Sequence, residues 1–234
     1  MNILCTICAR GGSKGVPNKN IKALNGAPLI VHTIKQAIES GLFDHIVIST
    51  DSKEIADVAL LAGVECWFLR PKNLSTDKAS KLDAIRHAVS EAEIRFNQCY
   101  DLVVDLDATS PLREVSDIQN SLNYFLESNA SNLITASPAR KNPYFNMVEY
   151  DEDEVRLVKS IKGLGSPQSR QAAPIVFDMN ASIYIWKKSA LFEDTFLVNK
   201  NTALYEMPEE RSIDIDTMMD WRLVELIMKL GSKI

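Results

Sequence analysis

The segment ILCTICARGGSKGVPNKN, residues 3–20, is the clearest indication of fold in this sequence. Its apolar first part is typical of a buried strand, and the rest is a loop rich in glycine and positive charge. Apolar runs of strand length alternate downstream with amphipathic segments of helix length. The apolar runs occupy residues 45–50, 65–69, 101–107 and 132–137, and the amphipathic segments occupy residues 28–40, 53–62, 80–93 and 116–128. This alternation predicts an α/β fold with a mostly parallel, twisted sheet and helices on both of its faces.

Length and charge narrow the classes of protein that fit. The chain has 234 residues, of which 46% are apolar and 24% charged, as expected for a soluble globular protein. We predict a single domain over residues 1–234. The net charge of -5 gives no broad basic surface, so we expect no nucleic-acid partner. The apolar run at 3–9 is too short for a membrane span and has no basic segment before it, so we expect no membrane partner and a cytoplasmic location.

The alternation of strands and helices stops after residue 137. The segment at about 138–174 contains an acidic run at 151–154 and several glycine, serine and proline residues, and it predicts a small inserted lobe. The acidic run lacks the spacing of a calcium loop and is interpreted as a solvated hairpin or turn. Regular structure is predicted to resume with SIYIWKK at 182–188 and to close with a helix at 218–230.

The glycine-rich loop is the strongest chemical feature of the sequence. Arg10, Lys14 and Lys19 can surround a polyphosphate, and Ser13 can donate a hydrogen bond to it. The loop glycines Gly11, Gly12 and Gly15 permit close approach of the backbone. Neither the P-loop nor the dinucleotide-binding spacing is present. The alternative, a glycine turn between solvated lysines, is the weaker one because three cations follow a strand at its carboxyl end.

Two acidic pairs could hold a divalent cation. Asp214 and Asp216 are two residues apart, so an extended backbone would place both carboxylates on one face. The alternative is an edge strand with Asp216 as a helix N-cap, and the segment alone does not separate the two. The polyphosphate loop favours the metal hypothesis. Asp105 and Asp107 have the same spacing and form a competing or supplementary site.

Cysteine spacing points to no zinc site. Cys5 and Cys8 form the one Cys-x-x-Cys spacing, but their odd separation directs them to opposite faces of a strand, and the three histidines show no ligand spacing. We interpret the thiols as structural.

These motifs together resemble the acylneuraminate cytidylyltransferase family, the CMP-sialic acid synthetases. The resemblance rests on ARGGSKGxPxKN at 9–20, TSPLR at 109–113, Arg170-Gln171, the Asn180-x-x-Ile-Tyr-Ile run and IDID at 213–216. It implies a nucleotide-diphospho-sugar transferase-like fold with a small lobe that pairs two subunits in a homodimer. It also implies transfer of CMP from CTP to the anomeric hydroxyl of a nine-carbon α-keto sugar acid, with release of pyrophosphate.

The resemblance assigns roles to single residues. Arg10, Lys14 and Lys19 would be catalytic, by stabilising the charge of the reacting triphosphate. The nucleotide-binding set would be Arg10, Gly11, Gly12, Ser13, Lys14, Lys19, Asn20, Arg70 and Ser80, although Ser80 could also cap the helix that follows it. Asp214 and Asp216 would hold Mg²⁺. The sugar-binding set would be Asp107, Thr109, Ser110, Lys141, Arg170, Gln171 and Asn180, with Arg170 on the sugar carboxylate and Arg113 in a structural role.

One departure from the family pattern concerns the sugar. Asp107-Ala108 stands where the family usually has Gln-Pro, and Ala181-Ser182 stands where it usually has Gly-Ala. A carboxylate at a sugar-contacting position needs donor hydrogens, so we predict a preference for a bacterial diamino nonulosonic acid such as legionaminic acid. Binding of Mg²⁺ by Asp107 stays the alternative.

Functional alternatives are a CMP-Kdo synthetase or another sugar nucleotidyltransferase and, more distantly, a non-catalytic nucleotide-binding module.

Overall fold

The fold is built on a six-stranded sheet. The computed structural model describes residues 1–151, 154–159, 167, 169–194 and 196–231. The strands are β1 (Ile3–Cys8), β2 (Ala23–Leu24), β3 (Ala27–Pro28), β4 (His45–Ser49), β5 (Leu102–Leu106), β6 (Asn132–Pro138), β7 (Val148–Asp151), β8 (Glu154–Leu157), β9 (Phe177–Lys187) and β10 (Thr202–Glu206). The α-helices are α1 (Leu29–Ser40), α2 (Lys53–Leu61), α3 (Lys81–Phe96), α4 (Val115–Glu127), α5 (Lys188–Glu193) and α6 (Met218–Gly231).

The order of strands in the main sheet is β10-β6-β9-β5-β1-β4. β1 pairs in parallel with β4 and β5, and β6 pairs in parallel with β10. β9 lies antiparallel between β5 and β6. The predicted α/β fold is therefore confirmed, with a mixed sheet in which parallel pairs are the majority.

The position of β1 inside the sheet explains why its sequence is a nearly continuous apolar run. Cys5 and Ile7 pack into a cluster with residues of α1 and α4, whereas Leu4 packs into a second cluster with residues of α3. A strand that is covered by helices on both faces needs apolar side chains at successive positions. All four cysteines are free thiols, of which Cys5 is buried and Cys99 is exposed.

Local signals set the ends of the helices. The hydroxyl of Ser52 accepts a hydrogen bond from the amide of Ile55 at the start of α2, and Gly41 ends α1 with φ 65°. Ser80 occupies the N-cap position of α3, but its side chain makes no capping hydrogen bond. No helix among the described residues is both long and apolar enough to cross a membrane.

The predicted strand at 65–69 is wrong. These residues are irregular, and Leu69 is exposed. Trp67 instead packs its ring against Phe96 of α3. The chain returns to the sheet at Arg70, whose amide donates to the carbonyl of Thr50 at 2.7 Å. An apolar run of this length can be satisfied by aromatic packing as well as by strand pairing, and here packing on α3 prevails.

The segment after β6 forms a hairpin outside the main sheet. β7 and β8 pair with each other as a separate two-stranded sheet. The hairpin agrees with the interpretation of the acidic run, although residues 152 and 153 of that run lie outside the described residues. β9 begins before residue 182, because its first half pairs Phe177 with Pro138 of β6. The 138–174 boundary of an inserted lobe stays a prediction.

One strand, β10, had no signal in the sequence. β10 pairs with β6 at the edge of the sheet, and its residues are only half-buried. In β9, opposite the middle of β6, Ala181 has φ 53°, in the left-handed region. The position is one where the family usually has glycine, and a non-glycine residue there carries strain. The register of β9 against β6 shifts next to this residue, so the strain accompanies a bulge.

Candidate active site

A cleft of 590 Å³ opens beyond the carboxyl ends of β1 and β5, where the fold type places ligands. It gathers eleven of the residues predicted from sequence: Arg10, Ser13, Lys14, Lys19, Asn20, Arg70, Ser80, Asp107, Thr109, Asp214 and Asp216. It also includes residues that sequence reasoning did not assign, among them Cys8, Asp77 and Lys81. Most residues predicted to bind the triphosphate and the nucleotide therefore meet Asp107, Asp214 and Asp216 in one place, and the buried Asp105 does not line the cleft.

Two loop cations share one carboxylate. Arg10 Nη1 lies 2.6 Å from Asp77 Oδ1, and Lys14 Nζ lies 2.5 Å from Asp77 Oδ2. Hydrogen bonds from Lys14 and Arg10 lower the pKa of Asp77. Asp77 is an anionic ligand for the same two cations that were predicted to bind phosphate. A triphosphate bound by these cations would compete with Asp77 for them.

Lys19 joins the loop to the acidic segment. Its ammonium donates to the carbonyl of Ile215 and lies 3.4 Å from Asp216 Oδ1, and its side chain is only 12% exposed. Nearby, the side-chain nitrogen of Asn20, Nδ2, donates to the backbone carbonyl of Arg10 at 3.0 Å. Asn20 Oδ1 is buried and has no donor among the described residues. A buried acceptor without a partner suits a ligand donor, such as the amino group of a base.

Gly15 lies directly against the backbone of the acidic segment. A Cβ atom added at Gly15 would stand 1.9 Å from the carbonyl oxygen of Asp216, whereas a Cβ added at Gly12 meets nothing within 4 Å. The sequence predicted backbone approach to a ligand at these glycines. At Gly15 the close approach is to the chain itself.

Gly15→Ala is therefore expected to lower the melting temperature and to reduce CTP-dependent turnover, because the methyl group separates the loop from residues 214–216. The matched control is Gly12→Ala, which adds the same methyl group to open space and should leave the melting temperature unchanged. Thermal unfolding followed by circular dichroism, with turnover measured on the same samples, checks both variants. Equal melting temperatures for the two variants would contradict the clash.

Asp214 and Asp216 both line the cleft but have different surroundings. Asp214 Oδ1 accepts a hydrogen bond from the hydroxyl of Thr109. Burial, followed by the nearby carboxylate of Asp107, raises the pKa of Asp214 to about 6. Asp216 is 76% exposed and faces Lys19. Crowding of like charges in a partly buried place is the environment that a bound cation relieves.

The interpretation of Asp216 as a helix N-cap is wrong. The hydroxyl of Thr217 accepts from the amide of Asp220 at 3.3 Å, and Asp220 Oδ2 accepts from the amide of Thr217 at 2.7 Å. Thr217 thus caps α6, because the reciprocal pair satisfies amides of the first turn. Residues 212–216 form no strand, and the two carboxylates reach the cleft from an irregular segment.

Asp107 is tied into a network of its own. Its Oδ1 accepts from the amide of Thr109 at 3.0 Å and lies 2.8 Å from the Thr109 hydroxyl, and its Oδ2 accepts from Lys81 Nζ at 2.8 Å. The single hydrogen of that hydroxyl can be donated to Asp107 or to Asp214, but not to both at once. Burial would raise the pKa of Asp107, but the ammonium of Lys81 and the bonds from Thr109 lower it to about 2. Lys81 Nζ also lies 3.1 Å from Asp105 Oδ2. Asp107 is therefore an ionised group with most of its acceptor positions in use.

Arg113 has the structural role that was predicted for it. Its guanidinium donates to the carbonyl of Ser182 at 2.6 Å, to Thr33 Oγ1 at 3.1 Å and to Gln36 Oε1 at 2.9 Å. These contacts tie the segment after β5 to α1 and β9. The turn that presents Thr109 to the cleft is thereby fixed.

Several predicted site residues do not line this cleft in the single chain. These are Gly11, Gly12, Ser110, Lys141, Arg170, Gln171 and Asn180. Gly11 and Gly12 line a neighbouring pocket of 450 Å³, and the amide of Gly11 donates to Asp51 Oδ1. Arg170 is exposed and donates to the carbonyl of Arg140. The amide of Asn180 is buried and bonded to Thr135 and Ser212. The nucleotide-binding roles of Gly11 and Gly12 and the sugar-binding roles of the other five stay predictions.

The residues missed by sequence reasoning belong to ion pairs between distant segments. Asp77 lies in an irregular stretch, and Lys81 is the first residue of α3. A signal for Lys81 was available. A carboxylate such as Asp105, at a central position of a buried strand, needs a cation from elsewhere in the chain, and a lysine next to the predicted nucleotide residue Ser80 was a candidate.

Comparisons with known proteins agree with the geometry of the cleft. The chain is 49% identical over 228 residues to a protein of Campylobacter jejuni named CMP-N,N'-diacetyllegionaminic acid synthase, covering 97% of this chain and 95% of that protein. It is 46% identical over 227 residues to post-translational flagellin modification protein B of Campylobacter coli, with the same two coverages. A CMP-N,N'-diacetyllegionaminic acid synthase of Legionella pneumophila is 34% identical over 243 residues, covering 100% of this chain and 99% of that one.

Among solved structures the likeness is one of fold. CMP:2-keto-3-deoxy-manno-octonic acid synthetase complexed with CTP superposes with a TM-score of 0.70 at 15% identity, covering 99% of this chain and 100% of that chain. The family model described as cytidylyltransferase matches residues 4–231. The chain that builds this cleft is a member of the cytidylyltransferase family.

Proposed function

We propose that this protein transfers CMP from CTP to the anomeric hydroxyl of a nine-carbon α-keto sugar acid and releases pyrophosphate, with a diamino acid of the legionaminic type as the preferred acceptor. The observation that carries the proposal is the cleft itself, which the cations of the glycine loop line together with Asp107 and Asp214. The names of the 49% and 34% identical relatives support the choice of acceptor.

The reaction fits a direct displacement. The anomeric oxygen attacks the α-phosphorus of CTP, the bond from that phosphorus to the bridging oxygen breaks, and pyrophosphate leaves with the electron pair. Arg10, Lys14 and Lys19 stabilise the charge that develops on the phosphate oxygens. For this, Arg10 and Lys14 exchange Asp77 for the triphosphate. No covalent intermediate is required, and positioning supplies much of the rate. The anomeric hydroxyl loses its proton to a general base as the bond to phosphorus forms.

We further propose Mg²⁺ as the cofactor, held by Asp214 and Asp216. Among the described residues no group of three or more histidine, cysteine or acidic side chains could hold a metal ion. A pair of carboxylates together with substrate phosphates is a common set of ligands for Mg²⁺. Burial and the nearby carboxylate of Asp107, which raise the pKa of Asp214, fit a site built for a cation. When bound, Mg²⁺ would neutralise charge on the phosphates.

The β7–β8 hairpin supports the proposal of a homodimer. Val148 is 63% exposed, Tyr150 82% and Val155 60%, so one small sheet presents several apolar side chains to solvent. Contiguous exposed apolar groups of this kind mark interaction surfaces. Pairing through this lobe could also bring Arg170 or Lys141 to a sugar site of the dimer.

We therefore expect a dimer at assay concentration, and Tyr150→Glu together with Val148→Glu should shift it toward the monomer by placing charge on the apolar face. Light scattering measures the mass directly. Leu60→Glu, on the exposed side of α2, is the matched control and should leave the mass unchanged. A wild-type mass equal to the 26.1 kDa of one chain would refute the dimer.

A pyrophosphate-release screen tests the function. Wild-type protein is incubated with CTP and with legionaminic, sialic, pseudaminic or Kdo acceptors, and then with other nucleoside triphosphates. Release that needs CTP and is fastest with a diamino nine-carbon acid is the expected result. Fastest release with Kdo would favour the sugar nucleotidyltransferase alternative. Binding of CTP without release for any acceptor would favour a non-catalytic nucleotide-binding module.

A further inference from the structure

Lys81 is a cation of the cleft to which the proposed reaction gives no role. The other cations that line the cleft are Arg10, Lys14 and Lys19 of the glycine loop and the buried Arg70. Lys81 stands apart from them, at the first residue of α3, against the ends of β5 and β9. Its side chain is 34% exposed and lines the cleft.

Three neighbours fix the position of the Lys81 ammonium. It lies 2.8 Å from Asp107 Oδ2, 3.1 Å from Asp105 Oδ2 and 4.5 Å from the centre of the Tyr184 ring. Asp105 is fully buried and its Oδ1 accepts from Thr6 Oγ1 at 2.7 Å, so the carboxylate cannot swing away. The lysine is thus held in one place, and a donor that is held before binding loses little entropy when a ligand arrives.

Hydrogen-bonding capacity remains on both members of the pair. An ammonium has three N–H donors. Among the described residues Lys81 donates to Asp107 Oδ2, and Asp105 Oδ2 is an ion-pair neighbour at 3.1 Å that makes no hydrogen bond. Asp107 Oδ1 accepts from the amide of Thr109 and lies 2.8 Å from its hydroxyl, whereas among the described residues Oδ2 accepts only from Lys81. A carboxylate oxygen accepts about two hydrogen bonds. The pair can therefore offer the cleft one donor and one acceptor side by side.

The local charge decides what kind of group fits this pair. Asp105 and Asp107 bring two negative charges to the single positive charge of Lys81, and Asp214 lies close by. A further carboxylate would be repelled by this excess. A neutral group that accepts one hydrogen bond and donates another matches it. Hydroxyl and amide groups have this property.

We infer that Lys81 is a specificity-determining residue that, paired with Asp107, binds a neutral hydroxyl or acylamino substituent of the sugar acid and not its carboxylate. The inference rests on the proposed function. It changes the part expected of Asp107: the carboxylate positions Lys81 and contributes one acceptor, where the sequence predicted direct recognition by Asp107 alone. Ser80 and Lys81 then serve nucleotide and sugar from adjacent positions of the chain.

Lys81→Met and Lys81→Arg test the inference, with KM measured separately for the sugar acid and for CTP. Lys81→Met keeps the length of the side chain and removes its donors. Lys81→Arg keeps a positive charge beside the buried Asp105 but moves the donors. It therefore tests the inference even if Lys81→Met fails to fold. Both should raise the acceptor KM by about 10- to 100-fold, the worth of a hydrogen bond to a charged group. The KM for CTP should change by less than about twofold.

Acceptor analogues identify the substituent. With an acid that lacks one acylamino or hydroxyl group, the penalty of Lys81→Met should largely disappear, because the wild type has already lost the contact. With an acid whose carboxylate is converted to a carboxamide, the penalty should persist. Lys78→Met is the matched control, since Lys78 is exposed and does not line the cleft, and it should leave both KM values unchanged.

Three results would overturn the inference. They are an unchanged acceptor KM in folded variants, an equal rise of both KM values, and a penalty that disappears with the carboxamide. Wild-type protein that releases no pyrophosphate with any acid would refute the proposed function instead. Calorimetric binding of the acids in the presence of a non-reactive CTP analogue would then decide the role of Lys81 independently.

Discussion

Replacing Lys19 with alanine is expected to lower the rate of CMP transfer by roughly 30- to 1000-fold while the protein stays folded, and Arg10→Ala should act in the same range. Loss of one charge-assisted contact to a reacting triphosphate is worth about 2 to 4 kcal/mol in the transition state. The structure gives a reason for the upper end at Lys19. Its ammonium is largely shielded from water and is aimed by Ile215 and Asp216.

The two loop variants should differ in their side effects. Arg10→Ala frees Asp77 from one of its two cations, so the remaining salt bridge with Lys14 strengthens and CTP has to compete with it. A raised KM for CTP is therefore expected beside the lower turnover. In Lys19→Ala the contacts of Asp77 with Arg10 and Lys14 are unchanged, so this variant should act mainly on turnover. Steady-state kinetics with CTP varied at saturating acceptor separate the two parameters.

Lys35→Ala is the control for charge alone, because Lys35 is exposed on α1 and does not line the cleft. It removes one positive charge and should leave turnover unchanged. Melting temperatures close to that of the wild type are required of all three variants. Wild-type turnover in folded Lys19→Ala and Arg10→Ala would remove the loop from the mechanism.

Sequence reasoning succeeded where residues that act together are close in the chain or carry a repeating pattern. The loop at 9–20 follows its strand directly, and the strand alternation set the sheet. It failed at residues 65–69, because an apolar run does not say whether a strand or an aromatic cluster buries it. β10 was missed because a half-buried edge strand has neither a long apolar run nor a clear alternation.

In the candidate site, residues of local motifs were predicted and residues of long-range ion pairs were missed. The loop cations and Asp214 were predicted from local motifs, and the cleft contains them. Lys81 and Asp77 were missed because their partners lie in other segments of the chain, and ion pairs between distant segments have no local pattern. Asp107 attracted attention as a departure from a family motif. Only the coordinates of Lys81 and Thr109 reveal that its charge is already compensated.

Asp214→Asn is expected to raise the Mg²⁺ concentration needed for half-maximal turnover by at least about tenfold, the loss that follows even when only a supporting residue of a metal site is changed. The amide keeps the shape of the side chain and its contact with Thr109, but it removes the anionic ligand. Asp216→Asn should have the smaller effect on the Mg²⁺ requirement, because Asp216 is largely exposed and already paired with Lys19.

A magnesium titration of pyrophosphate release measures the shift, and binding of Mn²⁺ followed by electron paramagnetic resonance gives a second readout that does not depend on turnover. Asp57→Asn, on the exposed side of α2, is the matched control and should reproduce the wild-type titration. If Asp214→Asn and Asp216→Asn both keep the wild-type requirement, the pair is structural. The cation would then have to be held at Asp107, since Asp105 is fully buried and its free oxygen faces Lys81.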